Sequence, residues 1–443
     1  MTDFKDKSVS LIGCGISNRA VLKYIDGKCG SITLRDRKLP QDADELKKKY
    51  CCVFGDGYLE GLDSDIIVIS PSVRPDTPEI AAAAARGSLL TSEMSLTLSA
   101  CRAKVFAVSG SDGKTTTTTI IYNLLKRECE KRNKGRVLVG GNIGTPLINE
   151  IESLTEDDFA VFEISSFQLM SLDISPDVAV ITNISPNHLD IHRGMEEYVE
   201  AKRALIKNQT PGQRTVLNYS NEYTRRFAET ATGKVVFFNG GDCLFSDGYI
   251  RLHGKPVLSA GDILIPGEHN VQNYEAAIAA SEGYVSEETV REVASTFKGV
   301  PHRRQLIAEK NGVKYYNSSI DTSPTRTVAA LVSFNCPLVA VMGGYDKHIP
   351  LYPLIPYLID KTKFVSLTGP TGRILFGMLT ESGVADDRFA FSDNFRDAVR
   401  LAVSKAAPGD SLILSPAAAS FDRFRNFEER GEAFTEIIEE LTK

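Results

Sequence analysis

The amino-acid sequence predicts an α/β protein made of three successive domains. Three observations carry that reading. Short β-branched and aromatic runs alternate with helix-patterned segments along the whole chain, which is the rhythm of parallel sheets. The length, 443 residues, exceeds what one ordinary hydrophobic core holds and suggests about three domains. The middle third opens on "VSGSDGKTTTTT" (108–119), where an apolar run passes through a glycine turn into a helix.

The first block, 1–99, runs "SVSLIG", "RAVLKYI", "SITLRD", "DIIVIS" and "EIAAAAARG", strand and helix in turn. In "LIGCGISNRA" the glycines follow the first strand and open a helix, so Gly13 and Gly15 can bring backbone close to a diphosphate. Asp36 comes after the next strand, where ribose recognition often lies. Asn18 stands where a dinucleotide fingerprint has its third glycine, so a nucleotide turn and a plain tight turn are both consistent with these residues.

The second block, 100–300, starts with "AKVFAVSG" and continues through "FAVFEISS" and "VAVITNIS" to the helix "NVQNYEAAIAASEGY". After the strand "KVFAV", Ile120, Ile121, Leu124 and Leu125 share one helical face. Such a strand–turn–helix aims backbone N–H groups and a helix N-terminus at one point, with Lys114 placed for terminal phosphates and Thr115 for magnesium. Val108 stands where the strict P-loop pattern has a further glycine. Glu163, past the strand "FAVFE", is either a metal-bearing carboxylate or a solvated strand end. "NHLDIH" gathers His188, Asp190 and His192 without a fourth ligand, a poor zinc site; a magnesium contact through His188 and a plain polar loop are the other readings. In "MEEYVEAKRALIKN", Lys202 shares the helical face of Tyr198 and Leu205. It either snorkels or, desolvated, has a lowered pKa and can be modified by carbon dioxide. Asn270 and Asn273 sit at a helix start, where capping would explain them. Arg303 can clamp a phosphate or lie on the surface of a linker.

The third block, 301–443, repeats the rhythm with "PLVAVMGG", "KFVSLTG" and "SLILSP", and ends on "FTEIIEELTK". Charge is nearly balanced, 51 basic against 57 acidic residues, which argues against nucleic acid or an anionic membrane as the main partner. The eight cysteines include no C-x-x-C pair, so reduced thiols are expected. The opening "MTDFKDKSVSLIG" lacks the pattern of a signal peptide, and a cytoplasmic location is expected. A monomer without membrane insertion is expected as well.

Taken in order, "GSDGKTTT", "GGNIG", "EISSFQL", "NHLDIH", the later "AK", "GEHNVQN", "PHRR", "GGYDK" and "LSPAAASFDRFRNFEERG" resemble the bacterial Mur ligases over the whole chain. The resemblance implies Rossmann-like outer domains flanking a P-loop-type ATP-binding α/β domain. It also implies ATP-dependent joining of D-glutamate to UDP-N-acetylmuramoyl-L-alanine through an acyl phosphate, in peptidoglycan precursor synthesis. That family uses a G-x-x-G-K-T loop, which accounts for Val108. By the same resemblance Gly110, Ser111, Asp112, Gly113, Lys114, Thr115 and Thr116 cradle ATP, with Asn270, Asn273 and Arg303 also meeting it. Thr115, Glu163, His188 and a carbamylated Lys202 would place two magnesium ions. Gly15, Ser17, Asp36 and Asn142 would contact the nucleotide sugar, and Thr322, Lys347, Ser420 and Phe427 would hold D-glutamate. One departure stands out. The family's N-D-S-x-A-T appears as "NSSIDT" (317–322), with Ser318 in place of an aspartate near the ATP ribose and Asp321 in place of a small residue. Asp321 is expected to supply that carboxylate from a turn, beside Thr322. Other ligases of the superfamily, a degenerate paralogue and a dinucleotide sensor built on "GCGISN" are the rival readings.

Overall fold

The computed structural model describes residues 2–187, 191–265 and 267–442. The chain divides into two compact units, Met1–Thr296 and Phe297–Lys443. The first unit contains two sheets and the second unit one.

In the first sheet, β1 (Ser8–Ile12), β2 (Ser31–Asp36), β3 (Cys51–Phe54), β4 (Ile66–Ile69) and β5 (Leu89–Ser92) are parallel in the order β3-β2-β1-β4-β5. The order reverses between β1 and β4, and the turn Gly13–Gly15 leaves β1 at that switch point, where open α/β sheets bind ligands. The expected boundary near residue 99 falls in the helix Glu93–Ala100, which is buried on nearly every side. Its Leu96 packs with Ile148 in the core of the first sheet, while Met94 and Leu98 belong to the core of the second. This shared helix is why the two sheets form one unit.

The second sheet comprises β6 (Lys104–Ser109), β7 (Val137–Gly141), β8 (Phe159–Glu163), β9 (Val178–Ile181), β10 (Arg214–Asn218) and β11 (Lys234–Phe238), with β12 (Cys243–Ser246), β13 (Tyr249–Leu252) and β14 (Lys255–Ser259) forming an antiparallel edge. Strand β6 lies between β8 and β9, both parallel to it. Phe106, Ala107 and Val108 are all fully buried, as expected of a strand covered on both faces. Parallel pairing therefore sets three carboxyl-terminal strand ends side by side: the glycine loop after β6, Glu163 at the end of β8, and Thr182 after β9.

The second unit holds β15 (Gln305–Lys310), β16 (Val313–Asn317), β17 (Leu338–Gly343), β18 (Thr362–Thr368), β19 (Phe389–Phe391) and β20 (Ser411–Leu414), ordered β15-β16-β20-β17-β18-β19. Only β15–β16 is antiparallel. No helix among the described residues is long and apolar enough to cross a membrane.

Candidate functional site

The loop after β6 is shaped by two glycines. Gly110 (φ +145°) and Gly113 (φ +76°) adopt backbone conformations that side chains rarely tolerate. A Cβ on Gly110 would strike Thr182 Oγ1, and one on Gly113 would sit 2.5 Å from Asn273 Oδ1. Gly113 caps the helix Lys114–Arg132, whose buried face holds Thr115, Ile120, Ile121, Leu124 and Leu125. The four expected apolar positions are thus all inward. Lys114 is half-buried at the first helical position and its Nζ donates to Ser111 O at 2.9 Å. Asn183 Oδ1 accepts from the N–H groups of Ser111 (3.1 Å) and Asp112 (2.8 Å). Thr182 Oγ1 donates to Asp112 O at 2.5 Å. Sequence reasoning missed Thr182 and Asn183; a polar pair directly after a strand next to β6 was the available signal.

Asn270 and Asn273 are not caps. The helix Glu268–Ser281 is capped at Gly267, and both asparagines are buried inside it. Asn273 Nδ2 donates to Asn270 Oδ1 (3.0 Å), while its own Oδ1 accepts from Thr117 Oγ1 (3.2 Å). An amide suits this place beside the phosphate-loop helix because it can accept from Thr117 and at the same time donate to Asn270.

Glu163 is buried at the end of β8, 2% exposed, rather than a solvated strand end. Asn142 Nδ2 donates to its Oε1 at 2.7 Å, while Oε2 is buried without a hydrogen-bond partner. A half-satisfied buried carboxylate is costly unless a cation or a donor meets it. Asn142 is itself exposed. Lys202, on the helix Met195–Lys207, does not snorkel. It is 1% exposed, donates to Gly110 O at 2.8 Å and lies 4.6 Å from the Tyr198 ring centroid. Burial, with the nearby charge of Lys114 second, pulls its ammonium down to about 7. Tyr198 Oη in turn meets Ser111 Oγ at 2.9 Å. His188 and Asp190 lie outside the described residues. His192 is a core residue: its Nε2 meets Ser166 Oγ at 3.0 Å and its ring stacks on Phe167. Among the described residues no cluster of three metal-ligating side chains occurs.

At the first sheet, Asp36 Oδ2 accepts from Cys14 N–H at 2.6 Å and Oδ1 from Lys38 N–H at 2.8 Å. Gly15 caps the helix Ile16–Ile25, with Ser17 in its first turn. Asn18 fills the place of the third glycine for a structural reason. Its buried Nδ2 donates to the carbonyls of Ile12, Gly13 and Val68, tying the switch point together. A shallow cleft adjoins this turn, lined in part by Gly13, Cys14 and Arg19.

In the second unit, Lys347 Nζ donates to Thr322 O at 3.1 Å, so those two residues are neighbours. Ser420 is buried, and Phe427 opens the helix Phe427–Leu441 with its ring edge-on to His302. Arg303 is half-buried. Arg430, missed from the sequence, is buried and donates to Ser319 Oγ, Ser319 O, Ala418 O and Ala419 O. It fastens the loop after β16 to the loop after β20.

Asp321 differs from its expected role. It is 6% exposed, and its Oδ2 accepts from Ser415 Oγ at 2.8 Å. Burial raises its carboxyl pKa, against the opposing pull of Ser318, Ser415 and the two arginines 303 and 304. Turned inward, it offers no carboxylate from a surface turn. It is a second fastener between the same two loops. A group whose folded-state pKa is raised contributes stability that is present below the ordinary carboxylate range and lost as pH rises through the folded value. Asp321→Asn is therefore expected to flatten the decline in stability above about pH 4. Asp321→Ala should lower unfolding free energy by about 1 kcal/mol, the net worth of the lost hydrogen bond, since the Ser415 hydroxyl keeps Thr327 as a partner. Urea denaturation between pH 4 and 8 checks both.

Two family profiles match the chain: "Mur ligase middle domain" over residues 108–281 and "Mur ligase MurD-like, N-terminal domain" over 7–92. The UDP-N-acetylmuramoylalanine–D-glutamate ligase of Acetivibrio thermocellus is 44% identical, the match covering 99% of this chain and 97% of that protein. The protein of the same name from Ruminiclostridium cellulolyticum is 42% identical, with 99% and 98% covered. Among solved structures, the UDP-N-acetylmuramate–alanine ligase MurC of Thermotoga maritima superposes with a TM-score of 0.59 at 19% identity, over 98% of this chain and 99% of that one. MurF of Acinetobacter baumannii gives 0.58 at 17%, over 86% and 92%. These two likenesses speak to the fold.

Proposed function

The chain belongs to the Mur ligase family, and we propose that it is the member that joins D-glutamate to UDP-N-acetylmuramoyl-L-alanine at the expense of ATP. The relatives that match it from end to end carry that activity in their names. The geometric observation behind the reading is one loop, Gly110–Lys114, met at once by a desolvated lysine and flanked by a buried, half-satisfied carboxylate. A soluble nucleotide-linked substrate fits a cytoplasmic site of action.

The chemistry follows from charge. Transfer of the terminal phosphate of ATP to the substrate carboxylate gives ADP and an acyl phosphate, whose carbonyl the amine of D-glutamate attacks, expelling inorganic phosphate and losing a proton as the amide forms. Both steps gather negative charge on phosphate oxygens, and electrostatic stabilisation is the principal device in such transfers. The helix N-terminus and the backbone N–H groups of Gly110 to Thr116 would receive the phosphates, and Lys114 would reach the transferring one. Arg303, Asn270 and Asn273 are assigned to ATP as well. Asp321 is withdrawn from that set because it is buried and bonded to Ser415. Glu163, whose Oε2 lacks a partner, suits a magnesium ion, as do the Thr115 hydroxyl and, by resemblance, His188. Magnesium bound there would supply charge neutralisation at the transferring phosphate. Lys202, whose ammonium loses its proton near pH 7, can as the neutral amine add carbon dioxide and release one further proton, and the resulting carbamate anion would help to hold that metal. Asn142 would orient Glu163 and touch the nucleotide sugar, with Gly15, Ser17 and Asp36 holding its uridine diphosphate. Thr322, Lys347, Ser420 and Phe427 are proposed for D-glutamate. The residue ranges 1–99, 100–300 and 301–443 are proposed as the nucleotide-sugar, ATP and amino-acid domains.

ADP release from purified protein tests the reading. Release is expected only when UDP-N-acetylmuramoyl-L-alanine and D-glutamate are both supplied. Release that responds to L-alanine or diaminopimelate instead would move the protein to another branch of the family. Tight NAD binding without ATPase activity would favour the sensor reading.

A further inference from the structure

Arg74 lies in the segment that follows β4, outside every residue assigned above. Its guanidinium makes five hydrogen bonds. Nε and Nη2 donate to Asp76 (2.8 and 2.9 Å), Nη1 and Nη2 to Glu197 (3.2 and 2.6 Å), and Nη1 also to Ile191 O (2.9 Å). That saturates the five donors a guanidinium carries. The ring closes through Arg193, whose backbone N–H donates to Glu197 Oε2 (2.6 Å) and whose guanidinium meets Asp76 at 2.9 Å. The Arg74 and Glu197 side chains are 22% and 28% exposed, so solvent screens this pair less than an ordinary surface pair. Arg74 holds the Glu197 carboxyl down to about 2.

The segments so joined are far apart in sequence. Ser70, at the start of the Arg74 segment, donates its N–H to Ile12 O, and its side chain fills the space a Cβ on Gly13 would need. The Arg74 segment therefore begins against the nucleotide turn of the first sheet. Glu197 is in the first turn of the helix that carries Tyr198 and Lys202. Beyond it, Tyr198 meets Ser111 and Lys202 meets Gly110 in the phosphate loop. His192, in the same segment, meets Ser166 Oγ through Nε2 and has its Nδ1 3.7 Å from Glu197 Oε2.

We propose that Arg74 is a positioning residue, fastening the helix that carries Tyr198 and Lys202 to the carboxyl-terminal end of the first sheet so that both side chains stay seated on the phosphate loop. An arginine that bridges a carboxylate of its own segment to a carboxylate and a carbonyl of the 191–197 segment fixes orientation in a way a lysine cannot fully reproduce. The proposal rests on the ligase reading of that loop. Small misplacements of a reacting group have large kinetic effects.

Arg74→Met is expected to lower kcat roughly tenfold or more while the KM for D-glutamate stays near the parent value. Glu197→Gln should match it, the double variant should lose no more than either single one, and Arg74→Lys should recover part of the loss. A purely structural ion pair would lower Tm and leave kcat intact at temperatures well below it. Values of kcat within twofold of the parent for folded Arg74→Met and Glu197→Gln would overturn the proposal. Should Arg74→Met fail to fold, the isosteric Glu197→Gln carries the test. A parent that releases no ADP refutes the ligase reading itself. The clasp is then judged by hydrogen exchange over residues 191–202, where protection in Arg74→Met equal to the parent's overturns it.

Discussion

Lys114→Ala is expected to reduce D-glutamate-dependent ADP release by about a thousandfold, the scale of losing a charged group aimed at transferring phosphate. The variant should fold. Lys114 occupies the first position of its helix and is half-buried there, and alanine is the best helix former. What disappears is a cation that donates to Ser111 O within the glycine loop. Two further readouts separate a chemical from a structural effect. ATP should raise the thermal midpoint of the parent by mass action and that of the variant much less. The charge of Lys114 also helps to depress the Lys202 ammonium, so its removal should move that pKa upward and increase the bicarbonate needed for whatever turnover remains. Activity within tenfold of the parent would end the assignment of Lys114 to the phosphate.

The parts of this site that were legible in the sequence are those whose signal is local. The Gly-Lys-Thr order after an apolar strand announced the loop, because a glycine turn ending in a lysine at a helix start has few other uses. Helical periodicity put Lys202 on the inward face with Tyr198 and Leu205, and all three are buried. Asn273 read as a cap because its partner, Thr117, is 156 residues away and nothing near it in sequence shows that two helices cross there. Asp321 read as a surface turn for the same reason, its partner Ser415 being 94 residues distant. The helix Glu93–Ala100 hid a further fact. A run such as "EMSLTLSA" looks like a domain boundary in a one-dimensional pattern, yet it is buried on nearly every side, Glu93, Ser95 and Thr97 included, and it sits between two cores. Arg74 carries no local signal, since its acceptors Ile191 and Glu197 lie 117 and 123 residues on.

Removing the Lys202 side chain should abolish turnover and, at the same time, stabilise the fold when its volume is kept. The lysine is buried with its ammonium on Gly110 O, and burial lowers its pKa from 10.5 to about 7. Between those values the unfolded chain holds a proton that the folded chain has released, so stability rises with pH across that window. Below about pH 7 the folded protein carries a charged, poorly solvated ammonium at a cost of a few kcal/mol. Lys202→Met, similar in length and uncharged, should therefore show a higher Tm at pH 7 than the parent and a flatter pH profile from 7 to 10. It should also be inactive if, as proposed, the carbamate of Lys202 helps to hold magnesium, since an apolar stem offers no carboxylate. Lys202→Ala, with space left beside Tyr198, should be equally inactive but partly restored by formate or acetate, which return a carboxylate to the vacated position. Restoration by methylamine and not by acetate would mean that a cation, not an anion, is required there. Lys202→Met with full activity would remove Lys202 from the site altogether, leaving its burial as a feature of packing alone.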